Sequence, residues 1–282
     1  MRMQAWLLST TCLWAVAAMG GAQAADLPDV SNGYNPMVVP ASLPAVSQVN
    51  GKLSAFGGSQ DGGLFGVAGS LSVPLGFPYG FQIDGMVGSG KGAAFYGVGG
   101  HLFWRDPAKG LLGLYGSYVS WEADDGAGTM GAEVGKIGVE GEAYLGRFSL
   151  EGLAAYQFGT NTGFAGKAVV AYYPIDNLRL DGGIRYLEGP GAIGVIDAEW
   201  QPREGSGWSV YGSGSFGDNY TQVLGGLRYY FGDPGKSLIQ RHRQDDPGNS
   251  LPDDLFTTGC PAGTAWFVDD GHVGRCRPDT SG

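Results

Sequence analysis

The stretch FSLEGLAAYQF, residues 148–158, alternates between two kinds of side chain along its length. Its even positions are apolar or glycine, whereas Ser149, Glu151 and Gln157 occupy odd positions. Side chains two residues apart in a β-strand point to the same face. The stretch therefore predicts a strand that separates an apolar environment from a polar one.

The same alternation recurs in four further segments, which place their charges on one face and their apolar groups on the other: 81–87, 136–145, 178–186 and 222–231. Turn residues divide residues 50–231 into twelve candidate strands, with ten as the alternative count. The predicted strands run over 50–58, 64–73, 79–88, 93–104, 111–121, 130–145, 147–158, 162–173, 177–187, 191–200, 207–215 and 220–231.

The composition and the N-terminus restrict the class of protein. Glycine accounts for 53 of 282 residues, aromatic residues for 12% and charged residues for 16%. Glycine at this abundance disfavours helices. Residues 1–24 combine Arg2, an apolar run too short to span a membrane as a helix, and the cleavage signal Ala22-Gln23-Ala24. We therefore predict a signal peptide over residues 1–24 and an exported β-rich protein.

Both a soluble β-sandwich and a membrane barrel would alternate, and three features favour the membrane. The chain carries an export signal, and its strands reach the roughly 9–11 residues that a tilted transmembrane strand needs. Aromatic residues also cluster near predicted strand ends, as in Phe103-Trp104 and Tyr229-Tyr230-Phe231. The predicted fold class is all-β: an antiparallel up-and-down transmembrane β-barrel over residues 50–231.

The segments on either side of the barrel lack periodicity. Residues 25–49 are rich in proline and predict a periplasmic linker, and residues 232–282 predict a mostly irregular periplasmic tail with one short helix between Lys236 and Asp246. An even strand count places both termini on one side, and in barrels of this kind that side is the periplasm. Cys260 and Cys276 are candidates for a disulfide loop in the tail. His272 adds too few ligands for a metal site.

The last predicted strand carries a family resemblance. The sequence GLRYYF, residues 226–231, resembles the terminal signal of bacterial porin-like outer-membrane β-barrel proteins, with Gly226, Tyr229 and Phe231 at the signal positions. The resemblance implies an outer-membrane location, contact with outer-membrane lipids, and recognition by the barrel-assembly machinery. The short predicted outer loops leave no room for the constriction loop of a large classical porin.

Charged residues on the inward parity are the candidate functional set. They are Asp84, His101, Arg105, Lys136, Glu140, Glu142, Glu151, Lys167, Arg179, Asp181, Arg185, Asp197, Glu199 and Arg228. Such residues can form a salt-bridged interior that fills the barrel, or opposite-sign rings of a channel for ions or small polar solutes. Twelve strands lie between filled and open barrels. The sequence leaves both interpretations open and slightly favours a filled or narrow lumen.

Other functions are weaker hypotheses. Ser70, His101 and Asp84 could be arranged as a hydrolase triad, but no spacing supports it. The net charge of −10 argues against nucleic-acid binding. We expect no enzyme activity, cofactor or metal, and a structural or narrow porin-like barrel. The alternatives are a lipid-modifying outer-membrane enzyme and a barrel that anchors a tail for a periplasmic partner.

Overall fold

Twelve antiparallel strands close into a barrel in the computed structural model. The structure describes residues 42–60, 62–90, 93–124, 129–203, 205–217, 220–233, 235–256, 264–268 and 274–278. Each strand pairs with its sequence neighbours, and β1 pairs with β12 to complete the closure. The predicted fold class and the count of twelve are confirmed.

Most strands extend one to three residues beyond one or both predicted ends, whereas β7, β8, β9 and β11 begin one residue later than predicted. Their bounds are β1 Asn50–Gln60, β2 Gly63–Pro74, β3 Tyr79–Gly90, β4 Ala93–Asp106, β5 Gly110–Asp124, β6 Thr129–Leu145, β7 Phe148–Gly159, β8 Gly163–Ile175, β9 Leu178–Leu187, β10 Gly191–Trp200, β11 Trp208–Gly217 and β12 Tyr220–Phe231. We call the end where β1 begins and β12 finishes the near rim, and the opposite end the far rim. Consecutive strands are joined at the far rim by connections of two to four residues.

The wall separates polar and apolar side chains as the alternation predicts. Ile137 is 65% exposed on the outside of β6, whereas its neighbour Lys136 is 4% exposed and faces inward. An outward apolar surface matches hydrocarbon, because a closed barrel pairs the backbone groups of its strands within the sheet. The inward face is available for polar chemistry.

Aromatic side chains ring the outside of the near rim. Phe148 stacks on Tyr172 with ring centroids 4.8 Å apart, and Trp208 packs against Tyr229 at 4.9 Å. Further exposed members of this girdle are Tyr79, Trp104, Trp200 and Phe231. The predicted girdle is therefore present, although Phe103, Tyr173 and Tyr230 of the same clusters turn inward and are buried.

Glycine lets inward aromatic rings lie against the wall. A Cβ added at Gly88 would lie 2.2 Å from the ring of Phe95, and one added at Gly66 would meet both Phe56 and Phe95 within 3.0 Å. Two strands thus provide flat backbone where the inward ring of Phe95 rests. This packing forms part of an apolar cluster toward the far rim.

After β12 the chain turns back at the near rim. A short helix, α1 (Leu238–Gln240), continues as a π-helical turn over Arg241–Asp245, and a 3-10 turn follows at Pro252–Phe256. The single helix predicted between Lys236 and Asp246 is confirmed at this position. Strands β13 (Thr264–Val268) and β14 (Gly274–Pro278) pair as a hairpin. None of the helices in the described residues is long and apolar enough to cross a membrane.

Candidate functional site in the barrel lumen

His101 lies between two wall carboxylates. Its Nε2 is 2.8 Å from Asp84 Oδ2, and its Nδ1 is 2.9 Å from Glu140. The ring is 1% exposed and packs at 4.9 Å from Tyr115. The three residues come from β3, β4 and β6, and the barrel brings His101 next to Glu140, which is 39 residues away in sequence. The imidazole links two buried acids.

A second cluster surrounds Arg179 on β9. Its Nη1 lies 2.8 Å from Glu151 Oε1, and its Nε lies 2.6 Å from Asp181 Oδ2. Asp197 is opposite Asp181 in the β9–β10 register. Charge-assisted hydrogen bonds of this length satisfy an arginine that is largely removed from bulk water.

A third cluster joins Arg228 of β12 to Glu199 of β10 by an ion pair. The hydroxyl of Tyr230 donates to Glu199 at 2.9 Å, and Ser209 donates to the same carboxylate at 2.6 Å. The guanidinium of Arg228 also lies 4.5 Å from the ring centroid of Tyr211. These groups are inward on adjacent strands.

Arg105 differs from the other wall cations. It is 1% exposed, and its guanidinium stacks on Phe103 at 4.8 Å from the ring centroid. The three guanidinium nitrogens of Arg105 have no hydrogen-bond partner within the described part of the chain. The nearby Glu142 accepts a hydrogen bond from Tyr144 at 2.7 Å. Arg105 is therefore held by packing and by the field of neighbouring acids.

The segment after β12 covers the near rim and then enters the lumen. We call residues 236–245 the cap. The backbone N–H of Ile239 donates to Asp176 O at 3.0 Å, and Arg243 donates to Gly146 O at 2.8 Å. Its Lys236 pairs with Asp245. The cap is thereby tied to two near-rim turns.

His242 of the cap lies over the lumen between two tyrosines. Its Nδ1 is 3.0 Å from the hydroxyl of Tyr173, and its Nε2 is 3.0 Å from that of Tyr230. Burial lowers the pKa of His242 well below its ordinary value of 6.5, and the charges of Arg179, Lys52, Arg228 and Arg241 lower it further. The neutral imidazole is the form that this contact holds.

Residues 246–256, which we call the plug, run through the lumen with their acids on wall cations. Lys52 Nζ lies 2.7 Å from Asp246 Oδ1, and Lys136 pairs with Asp254. Lys167 Nζ is 3.0 Å from Asp253, and Arg185 Nη1 is 2.9 Å from the same carboxylate. Burial raises the pKa of Asp253, but the charges of Lys167 and Arg185 outweigh this effect, so the net pKa is lowered.

Two leucines anchor the plug in an apolar cluster toward the far rim. Leu251 and Leu255 are both fully buried. They belong to a cluster contributed mainly by the wall, with Phe56, Leu64, Ala68, Met86, Ala93, Phe95, Val119, Trp121 and Leu224. Full burial of one leucine contributes roughly 1.5–3 kcal/mol. The plug is therefore held by both ion pairs and apolar packing.

The plug does not fill the lumen. A cavity of about 160 Å³, partly open to solvent, remains beside it. Charges of both signs line this cavity, among them Glu151, Arg179, Asp197, Lys167 and Arg228. This volume is below the about 300–1,000 Å³ of small-molecule sites in other proteins, so with the plug seated the cavity suits ions or very small polar groups.

Residues 236–245 lie at the near rim and residues 246–256 lie inside the lumen, so this part of the predicted periplasmic tail packs with the barrel. The periplasmic side of the tail stays a prediction. Part of the predicted linker, residues 42–49, is also packed against the near rim, where Ala45 and Val46 are buried against Phe103 and Leu111. The plug is held by buried cations and by an apolar cluster of the wall. Its own sequence has no periodicity, so it gives no sign of these partners.

The predicted inward charges all lie on the lumen side, where the structure groups most of them into the clusters above. Sequence reasoning missed Lys52, which shares inward parity with Ser54, and the plug acids Asp246, Asp253 and Asp254. The acidic pairs Asp245-Asp246 and Asp253-Asp254 were the available signal.

The other predicted residues belong to the terminal signal and to the disulfide. Tyr229 and Phe231 of the terminal signal face outward, and Gly226 pairs with Phe56 across the β1–β12 closure. Cys260 is outside the described residues, and Cys276 lies in β14, so the disulfide remains a prediction. Groups of three or more His, Cys, Asp or Glu placed to hold a metal ion are absent from the residues that the structure describes.

Comparisons with known proteins identify the architecture. No family model and no curated protein matches the chain. Among solved structures, the KdgM porin superposes with a TM-score of 0.51 at 12% identity, over 64% of this chain and 99% of the porin. This is the fold of an outer-membrane β-barrel.

Two further solved outer-membrane proteins are also similar to this chain. An outer-membrane channel from Pseudomonas putida F1 gives a TM-score of 0.49 at 10% identity, over 68% of this chain and 98% of that channel. The outer membrane phospholipase A from Escherichia coli gives 0.44 at 13% identity, over 68% and 95%. The outer-membrane barrel resembles small channels and porins, but a fold alone does not assign a chemistry.

Proposed function

We propose that this outer-membrane β-barrel is a narrow porin-like conduit for ions or small polar solutes, and that its own C-terminal segment obstructs the lumen. The observation that carries the proposal is the plug, whose carboxylates pair with Lys52, Lys136, Lys167 and Arg185 inside the wall. A filled lumen and a narrow channel are then two states of one molecule, which differ in whether the plug is seated.

The polar lining supports a conduit in preference to a purely structural barrel. A scaffold that only needed filling would gain as much from well-packed apolar side chains, because burying ion pairs is costly. Here the plug shares the lumen with a charged cavity of about 160 Å³ that is partly open to solvent. Ions and small polar solutes can be solvated by such a lining.

We also propose that both termini are periplasmic, so that the near rim and cap face the periplasm. The even strand count, with β1 beginning and β12 ending at the near rim, supports this orientation. The outward girdle would contact outer-membrane lipids. Gly226, Tyr229 and Phe231 would be presented to the barrel-assembly machinery, and residues beyond 256 are available to a periplasmic partner.

The environment of His101 supports a role without catalysis. Both of its ring nitrogens are within hydrogen-bond distance of carboxylates. Ser70 instead accepts a hydrogen bond from Asn249 of the plug at 3.3 Å. A serine nucleophile needs a ring nitrogen to take its proton, and in this arrangement neither nitrogen is directed at Ser70. We therefore propose that the lipid-modifying alternative does not apply.

Planar-bilayer recording of the refolded chain tests the proposed conduit. We expect small or rare currents from the native sequence and larger, longer openings from Leu251→Asp/Leu255→Asp, which places charges in the apolar anchor. The matched control is Asp233→Asn, which changes an acid at the near rim outside the plug.

Folding of each variant is checked by heat-modifiable gel mobility. A folded anchor variant that stays silent in several salts would remove the conduit and leave a structural barrel. Equal, large currents from the native chain and the anchor variant would show that the plug does not obstruct the lumen.

A further inference from the structure

The plug carries its negative charge along a path rather than at one point. Asp246 meets Lys52 on β1 near the near rim, whereas Asp254 meets Lys136 on β6 at a deeper level, opposite Gln157. The two acids are eight positions apart in sequence, so a fully extended chain would place them at most about 26–29 Å apart. The intervening residues 246–250 have no regular secondary structure.

Most carboxylates of the wall are already engaged by other wall residues. Asp84 and Glu140 flank His101, and Glu151 and Asp181 flank Arg179. In the same way, Glu199 pairs with Arg228. These wall clusters would persist if the plug left. The four cations that face the plug would instead lose a carboxylate that they contact now.

Those four cations come from β1, β6, β8 and β9, and Lys167 lies opposite Arg185 in the β8–β9 register. Lys52, Lys136 and Arg185 are each at most 4% exposed, and Lys167 borders the remaining cavity. Cations that are this buried need an anion or strong solvation when a carboxylate is withdrawn. A solute that replaced the plug would be favoured if it brought negative charges spaced along an extended chain.

We infer that the plug stands in for the solute, and that the conduit accepts linear oligomers bearing several carboxylates. This inference rests on the proposed function, because it names the class of solute for the same lumen. The incoming oligomer would occupy the path of residues 246–254 and compete with the plug for Lys52, Lys136, Lys167 and Arg185.

The binding test uses the full chain with a neutral plug, Asp246→Asn/Asp253→Asn/Asp254→Asn, refolded in detergent. The probes are a short oligomer of uronic acid, a short oligomer of glutamate, and a neutral oligosaccharide of the same length as the first. Calorimetry at low ionic strength should show that the acidic probes bind the neutral-plug chain about tenfold or more tightly than the native chain. The neutral probe should bind neither protein.

Two added variants separate the site from general attraction. Lys136→Gln/Lys167→Gln in the neutral-plug background should lose the acidic probes, whereas Lys109→Gln, which alters an exposed near-rim cation, should keep them. A synthetic peptide of residues 244–256 should compete. The two acidic probes decide whether the carboxylates suffice or whether the sugar or peptide backbone matters.

The outcomes distinguish the inference from the proposed function. Acidic probes that bind in a chain that passes no current would retain the inference and remove the conduit. Currents without preference for anions in a salt gradient, together with equal or absent binding of all probes, would overturn the inference and retain the conduit. If the triple variant does not fold by heat-modifiable mobility, Leu251→Asn/Leu255→Asn provides an unseated plug by another route.

Discussion

Single buried charges decide whether the plug stays in the barrel. The side chains of Lys136 and Asp254 are 3% and 0% exposed, so neither can be solvated while the plug is seated. Removing one member of such a pair is more costly than never having built it, because the remaining charge stays buried. At the surface the pair Arg147–Asp176, at 50% and 60% exposure, has water on both sides.

Lys136→Met should therefore destabilise plug docking by about 3–5 kcal/mol, whereas Arg147→Met should change it by at most about 1 kcal/mol. Hydrogen–deuterium exchange of residues 246–256 measures docking directly. The double variant Lys136→Met/Asp254→Leu should recover much of the loss, since an apolar pair leaves no buried charge. A single and a double variant with equal exchange would contradict this explanation.

His242 gives docking a pH dependence. Its lowered pKa means that the docked cap holds fewer protons than the released cap, so docking is complete above the ordinary pKa of 6.5 and weakens as pH falls below it. Because one proton is involved, the free energy of docking changes by at most about 1.4 kcal/mol per pH unit. Glu199, 3.8 Å from the ring, moderates the effect, and Asp246, whose pKa burial raises, acts oppositely at lower pH.

Exchange of residues 246–256, corrected for the intrinsic effect of pH, should rise between pH 6.5 and about 5 in the native chain. His242→Gln keeps groups that can donate to and accept from Tyr173 and Tyr230 but does not titrate. Its exchange should be flat over the same interval. A parallel rise in both proteins would assign the pH dependence to other groups.

Individual strands were predictable because lipid and lumen impose opposite chemistry on alternate residues. In β9, for example, Leu180, Ile184 and Tyr186 are exposed outside while Arg185 is buried inside, as parity requires. The glycine-rich β2 gave no such signal, because Gly66 and Gly69 have no side chain to classify. Its place follows from pairing with β1 and β3.

Gly88 and Gly85 make a matched pair within β3. A Cβ at Gly88 would lie 2.2 Å from the ring of Phe95 and 2.4 Å from the backbone oxygen of Phe65, whereas a Cβ at Gly85 meets nothing within 4 Å. Overpacking of this kind costs typically about 1–3 kcal/mol. Gly88→Ala should lower the temperature at which the heat-modifiable form converts, and Gly85→Ala should not. Equal shifts would argue against the ring contact as the cause.

Depth in the wall sets the cost of an outward charge. Ile137 is outward near the middle of β6, and Leu145 is outward at its near-rim end. Arginine on the lipid face costs about 2–4 kcal/mol at the midplane and about 0–1 kcal/mol near the interface. Folding into lipid vesicles should therefore be weakened strongly by Ile137→Arg and little by Leu145→Arg. A reversed order would mean that the membrane does not cover the barrel at this level.

At the scale of the whole molecule, local sequence patterns determine the wall, whereas long-range contacts determine the position of the plug. The wall follows from a period of two, which any segment carries by itself. The position of the plug depends on groups such as Lys52 and Lys136 that lie more than 100 residues away. Asp246 and Asp254 by themselves are typical of a solvated tail, which is why the sequence predicted one. The inward charges were thus predictable, but their plug partners were not.

The remaining question at this scale is whether the barrel needs its plug to form. Closure depends on pairing of β1 with β12 over ten residue pairs, which involves no residue of the cap or plug. Deleting residues 232–282 should therefore leave insertion and heat-modifiable mobility intact, while lowering thermal stability because Leu251 and Leu255 no longer cover the apolar cluster. It should also raise conductance. Deleting only residues 257–282 keeps the cap and plug, so it should leave the conductance at its native level and serves as the control. Loss of insertion in the longer deletion alone would show that the plug takes part in assembling the wall, and that its ion pairs form before the barrel closes.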